Sequence, residues 1–205
     1  MVDWADWHSS YDDPGSPLSR RLAVVRAQLS ALLDAQPPGP IRIVSLCAGE
    51  GRDVIPVVAA HPRRDDVSAR LVELDPRNVA AARAAAPANV EVVEGDASLL
   101  AHVEGAVPAG VVLACGIFGN IGDADIVRTI DHLPMLCAPG AAVIWTRGDR
   151  GPVDLRPAIR RWFAERGFEE RFFHGEPDSF GVGVHRLVAE PQPLEPAVKL
   201  FTFIR

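Results

Sequence analysis

The sequence is poor in the residues that staple small folds or hold metals. Its three cysteines, Cys47, Cys115 and Cys137, are far apart and odd in number. No Cys-x-x-Cys and no Cys/His ligand spacing occurs, so neither a disulfide framework nor a metal site is expected. Reduced, buried thiols of a cytoplasmic protein are the expectation instead. Long hydrophobic runs are also missing. None approaches the roughly 18–20 residues that a spanning helix needs. The first residues, MVDWADWHSSYDDPG, are acidic and aromatic. They lack the basic and apolar regions of a secretion signal. Positive charge is not in excess: 21 Lys and Arg stand against 27 Asp and Glu, for a net charge of −6. That balance argues against broad binding to nucleic acid or to an anionic membrane. No internal repeat or low-complexity domain is visible.

What is present is a core. Hydrophobic residues make up 48% of the 205 positions, enough for one well-buried domain and too short a chain for two ordinary ones. After an irregular arm, Ser16-Pro17 opens a helical pattern. Leu18, Leu22, Val25, Leu29, Leu32 and Leu33 recur at spacings of three and four and share one face. Pro37-Pro38-Gly39-Pro40 stops it. Residues 1–38 therefore form an N-terminal arm and helix, and 41–205 the core of a single domain.

From residue 41 the chain alternates. Strands are predicted over 41–46, 69–74, 90–93, 111–115, 141–146 and 168–174. Helices are predicted over 53–60, 76–86, 98–103, 123–136 and 155–166. Alternation with short connections predicts an α/β three-layer sandwich, a mostly parallel sheet with helices on both faces. The tail breaks the rhythm. Residues 182–189 and 199–204 both read as strands, with only a proline-rich linker, 191–196, between them. Without a crossover helix, at least one late strand runs antiparallel. A seven-stranded sheet with an antiparallel C-terminal strand is expected.

In such sheets ligands bind beyond the carboxyl ends of the strands. The loop after the first strand reads Cys47-Ala48-Gly49-Glu50-Gly51. Gly49 and Gly51 leave room for a ligand to approach the backbone, and the next helix offers unpaired N–H groups. A dinucleotide fingerprint would need a third glycine, but Val54 stands there, and no Gly-Lys-Ser/Thr makes a P-loop. A nucleoside with an amino-acid end suits the turn better than a diphosphate; a ligand-free strand–helix turn is the plainer alternative. Glu73, near the end of the second strand, can accept both ribose hydroxyls. Asp96, after the third, can accept from an exocyclic amine, while the Ala97 N–H serves a ring nitrogen. Either acid alone is as easily a helix cap. Three such features on successive strand ends are harder to obtain by accident.

These segments resemble a class I S-adenosylmethionine-dependent methyltransferase, well over about residues 41–147 and in topology beyond. IVSLCAGEGRDV resembles the family's first motif, ARLVELDPRNVAAAR the second and VEVVEGDAS the third. CGIFGNI resembles the strand-four motif beside the substrate, and LCAPGAAVIWT the turn into the later strands. The resemblance implies a Rossmann-like methyltransferase fold and S-adenosylmethionine as cofactor. It implies cofactor contacts from Cys47, Ala48, Gly49, Gly51, Glu73, Leu74, Asp96, Ala97 and Cys115. Two positions depart from the pattern. Ser45 stands where the family usually has an acid, and Cys47 where it has its first glycine.

The resemblance further implies in-line methyl transfer, for which the protein supplies alignment and exclusion of water. Adding only an arm and a helix to the core favours a small-molecule substrate. Asn120, after the fourth strand, is a candidate to orient it, or else an Asn tolerated in a left-handed turn. Arg147 is a candidate to meet an anionic substrate, beside Thr146, with Asp149 on the surface. Trp4, Trp7, His8 and Tyr11 either form a lid or anchor the arm, and His8 and Tyr11 are the acid/base candidates. His174 and His185 are expected to be packed or at the surface. Two rival functions remain: a non-catalytic nucleoside-binding scaffold, and a nucleotide-dependent oxidoreductase. The sequence does not set the oligomeric state.

Overall fold

The computed structural model describes residues 13, 15–148 and 153–204. Helix α1, Pro17–Ala35, begins where expected. The Ser16 hydroxyl accepts the Ser19 N–H at 3.0 Å, with proline next to the cap. At its other end the Arg63 guanidinium donates to the carbonyls of Leu33, Gln36, Pro37 and Gly39. The bonds to Leu33 and to the cap Gln36 satisfy acceptors at the helix end, and those to Pro37 and Gly39 hold the turn that follows.

Seven strands follow: β1 Ile41–Leu46, β2 Val67–Glu73, β3 Val90–Glu94, β4 Ala109–Ala114, β5 Cys137–Gly148, β6 Phe168–His174 and β7 Phe180–Leu187. Between them lie α2 Ile55–Ala60, α3 Pro76–Ala85, α4 Asp123–His132 and α5 Arg156–Glu165. The sheet order is β3-β2-β1-β4-β5-β7-β6. The first five strands are parallel, and β7 is antiparallel to both its neighbours. The expected mostly parallel seven-stranded sheet with one reversed strand is what the chain forms.

Alternation along the strands separates two cores. Ile43, Leu71, Leu113 and Ile144 face α1, α2 and α3, packing on Val25, Leu29, Leu33, Ile55, Val58 and Val79. Val44, Val72, Val112, Val143 and Trp145 face the other way, toward Ile126, Ile130, Ile159 and Phe163. These are the three layers. Edge strand β6 carries exposed Glu169, Glu170 and Arg171, which discourages pairing with another chain.

Several element boundaries need correction. Residues 199–204 form no sheet strand. They fold back over the loops after β3 and β4, through single bridges Leu99–Lys199 and Ile121–Phe203. β6 and β7 are joined by residues 175–179, so the hairpin comes before the proline-rich linker rather than after it. The helix expected over 123–136 gives way at His132 to a 3-10 turn, Leu133–Met135, where Pro134 has no N–H to continue the helical ladder. The helix expected over 98–103 is a 3-10 turn, Leu100–Val103. Regular helix after the first loop starts at Ile55, not Asp53.

Trp145 is fully buried on β5 and stacks on Phe163 at 6.0 Å between centroids, 12° from parallel. Opposite it in register is Gly183. A Cβ there would lie 2.3 Å from Trp145 Cε2. The indole has neighbours on every side, so it has little room to yield. Gly183→Ala is expected to destabilise the fold by roughly 1–3 kcal/mol, read as a lower urea midpoint; an unchanged midpoint would show that the layer can repack.

Candidate active site

Strand order reverses between β1 and β4, and the cleft at that switch point is where open α/β sheets bind ligands. A cavity of about 690 Å³ occupies it. The chain leaving β1 contributes Cys47, Ala48, Gly49, Glu50, Arg52 and Asp53, that leaving β2 Glu73, Leu74 and Asp75, and that leaving β3 Asp96 and Ala97. Cys115, Gly116 and Asn120 follow β4, and Thr146 and Arg147 lie at the end of β5. Every described residue expected to bind the cofactor, except Gly51, lines this cavity. Gly51 supports the loop from behind. Its φ is +70°, and a Cβ there would come within 2.8 Å of Leu71 and 2.5 Å of Ile55.

The loop turns sharply. Cys47, Gly49 and Gly51 all have positive φ, at 53°, 56° and 70°. Cys47 is the single non-glycine in that region among the described residues. The position where the family pattern has glycine is left-handed in this chain, and Cys47 adopts a conformation other residues resist. Burial, reinforced by the carboxylates of Glu73 and Asp96, pushes its thiol well above the ordinary range. Burial does the same for Cys115. Both remain protonated near neutral pH and are packing groups rather than nucleophiles.

Glu73 gathers three strand ends. Its Oε2 accepts the Gly49 N–H at 2.8 Å and its Oε1 the Asp75 N–H at 2.9 Å. Its backbone carbonyl accepts the Gly95 N–H at 2.9 Å. Each carboxylate oxygen still has accepting capacity toward the cavity. Leu74 beside it is 64% exposed, a large apolar side chain on the cavity wall. Asp96 closes a turn by accepting the Ser98 N–H at 2.9 Å. Asp75 caps α3 and pairs with Arg77.

On the β4 side, the Gly116 N–H donates to Thr146 Oγ1 at 2.8 Å and Asn120 Nδ2 donates to the Gly116 carbonyl at 2.7 Å. Asn120 does not have the left-handed backbone offered as its alternative; its amide closes the loop. Arg147 donates to the Phe118 carbonyl, which fixes it at the cavity edge. His174 bonds Asp178 at 2.9 Å, and His185 is fully buried. His185 Nδ1 accepts the Trp145 N–H at 3.1 Å, and burial holds its pKa down to about 4. Neither histidine lines the cavity. Trp4, Trp7, His8, Tyr11 and Asp149 lie outside the described residues. No cluster of metal-binding side chains occurs among the described residues.

Part of the wall carries no signal for the site in the sequence. Arg21, Leu22 and Val25 come from α1 and Phe203 from the returning tail. The α1 pattern signalled only a buried face, and the tail was read as a strand. Asp53 likewise carries no such signal, although it follows the glycine loop directly. It is buried, and its Oδ1 has no hydrogen-bond partner among the described residues. Desolvation pushes its pKa up to about 6, against the pull of its own and the Val54 N–H and of Arg26 and Arg21.

Solved structures share this architecture. The magnesium protoporphyrin IX methyltransferase of Synechocystis, solved with S-adenosylmethionine, matches with a TM-score of 0.67 at 13% identity, covering 91% of this chain and 92% of that one. The fold is the class I methyltransferase fold. An O-methyltransferase family protein from Burkholderia thailandensis matches at 0.64 and 17% identity, over 85% of this chain and 57% of that one. An N,N-8-amino-8-demethyl-D-riboflavin dimethyltransferase from Streptomyces davawensis matches at 0.54 and 20% identity, over 72% of this chain and 49% of that one. The chain thus spans about half the length of these last two. No family model and no curated protein matches the sequence. No described helix is long and apolar enough to cross a membrane.

The raised Asp53 pKa has a consequence for stability. An acid whose folded pKa exceeds its unfolded value stabilises the fold at low pH, and that contribution is lost as pH rises through the folded pKa. A shift from 3.8 to about 6 corresponds to ~3 kcal/mol. Denaturant titrations of the free protein should therefore show Asp53→Asn gaining ~3 kcal/mol relative to wild type between about pH 4 and pH 7. A difference that stays flat across that window would contradict the buried, uncompensated carboxylate.

Proposed function

We propose that this chain is an S-adenosylmethionine-dependent methyltransferase acting on a small molecule. The supporting observation is convergence: the ends of β1 to β5 meet at one cavity, with Glu73 and Asp96 at its wall. The Synechocystis neighbour solved with S-adenosylmethionine and with S-adenosylhomocysteine has the same fold. The residues fit that cofactor. Glu73 would accept the ribose hydroxyls on its remaining lone pairs, Asp96 and the Ala97 N–H would read the adenine edge, and Leu74 would cover a face of the base. Ala48 and Gly49 would let the backbone approach, with Gly51 shaping the turn behind them and Cys47 and Cys115 packed around the middle of the site. Bound S-adenosylmethionine would supply a methyl group on a sulfonium leaving group, in line with the acceptor atom.

The chain's own contribution is alignment and exclusion of water. Thr146 and Arg147 bound the acceptor side, with Asn120, whose amide nitrogen is committed to Gly116 and whose carbonyl oxygen would face the acceptor. His8 and Tyr11 are assigned to hold or remove an acceptor proton if the acceptor carries one. We place the activity in a single cytoplasmic domain, with the N-terminal arm as the lid. The reading that competes is a nucleoside-binding scaffold, which the missing first-motif acid at Ser45 favours.

Calorimetry with S-adenosylmethionine, S-adenosylhomocysteine and NAD tests the cofactor. Both sulfur nucleosides should bind and NAD should not; no binding by either removes the proposal. Glu73→Ala should weaken S-adenosylhomocysteine by about 10–100-fold, the scale of hydrogen bonds to a charged acceptor. Unchanged affinity would remove Glu73 from the ribose. Transfer of a labelled methyl group to an acceptor separates the enzyme from the scaffold.

A further inference from the structure

We propose that Asp53 binds the amino group at the methionine end of the cofactor and so replaces the acid that the first motif lacks. The assignment rests on the cofactor reading above. It starts from Ser45, which stands at the family's acidic position but cannot carry charge. Ser45 is buried near the end of β1, and its hydroxyl has no partner among the described residues. By the alternation of the strand it faces the same side as Ile41 and Ile43, the side that α2 covers. Asp53 lies in the turn leading into α2 and lines the cavity. The carboxylate missing from the strand is thus present on the chain that packs against the same face.

Asp53 is also a group in need of a donor. A buried carboxylate oxygen without a hydrogen bond is costly. Arg26 and Arg21 of α1 lie near enough to lower its pKa, yet burial outweighs them. An ammonium supplies three donors and a positive charge, whereas a ligand carboxylate would be repelled. The remaining charges of the cavity agree. Among the described lining residues, with the pairs Glu50–Arg52 and Asp75–Arg77 set aside, Asp53, Glu73 and Asp96 stand against Arg21 and Arg147, with Arg26 behind Asp53. That balance suits a cationic ligand.

The test compares ligands with and without the amino-acid end. S-adenosylhomocysteine and 5′-methylthioadenosine are titrated calorimetrically into wild type and Asp53→Asn. The variant should lose about tenfold or more in affinity for S-adenosylhomocysteine and nothing for 5′-methylthioadenosine. Equal losses for both ligands would make Asp53 a support of the loop and overturn the assignment; so would no loss for either. A second measurement uses only the unaltered protein. The adenosyl thioether of 4-mercaptobutyrate, which lacks just the amine of S-adenosylhomocysteine, should bind wild type about tenfold or more weakly than the parent. It should bind wild type and Asp53→Asn alike. A full penalty for the missing amine that persists in Asp53→Asn would place the amine elsewhere. Failure of the cofactor reading looks different: wild type would then bind neither S-adenosylhomocysteine nor 5′-methylthioadenosine.

Discussion

The site depends on one side chain at the end of β2. Glu73 accepts the Gly49 N–H of the first loop and the Asp75 N–H of the second, while its carbonyl accepts the Gly95 N–H of the third. Parallel strands do not by themselves fix the loops that leave them, because ladder bonds end where the sheet ends. One carboxylate bridging two loops supplies that constraint. The bonds are charge-assisted, each stronger than a neutral pair. Glu73 is therefore structural before it is anything else. It presets the loop geometry, so a ligand meeting its remaining lone pairs finds the glycine loop already in place.

How much of this was legible in the sequence depended on range. The local signals held well. Ile41–Leu46 was readable from its apolar and β-branched residues, and the start of α3 from the fit of Pro76 to a first helical turn. The glycine loop after β1 was readable because Gly49 and Gly51 occupy the left-handed region that favours glycine. Apart from helix ends, what failed was nonlocal. The tail at 199–204 has strand composition, but every available sheet edge is elsewhere: β6 closes one side and β3 the other. It could only cover the loops, and composition does not carry that information. Arg21 was hidden for a similar reason, since nothing in an amphipathic pattern says which end of a helix overhangs a cleft.

Asp53 illustrates a subtler limit. In the sequence it is a polar residue just inside a predicted helix, an ordinary place for a capping acid. The structure starts regular helix two residues later and buries the carboxylate instead. A buried acid with an open oxygen is a different chemical object from an exposed cap. The distinction rests on α1 lying across the loop, where Arg26 Nε donates to the Arg52 carbonyl at 2.7 Å. That contact spans elements the sequence reading treated as separate arm and core.

The two departures in the first motif then have separate physical explanations. At Cys47 the backbone keeps the left-handed geometry of the family's glycine. A non-glycine there costs about 1–2 kcal/mol. The side chain offsets part of this by packing on the core around Val44 and Leu46, where burying even one methylene-sized group contributes about 0.8 kcal/mol. The substitution thus leaves a net cost of up to about 1 kcal/mol, with the turn at Cys47 left-handed all the same. At Ser45 the shape is also kept, since a small polar side chain fills the place, but the charge is gone. Shape and charge are therefore separable in this motif. The backbone turn is fixed by Glu73 and the glycines, whereas a negative charge can come from any residue that reaches the same face, and here the residue on that face is Asp53.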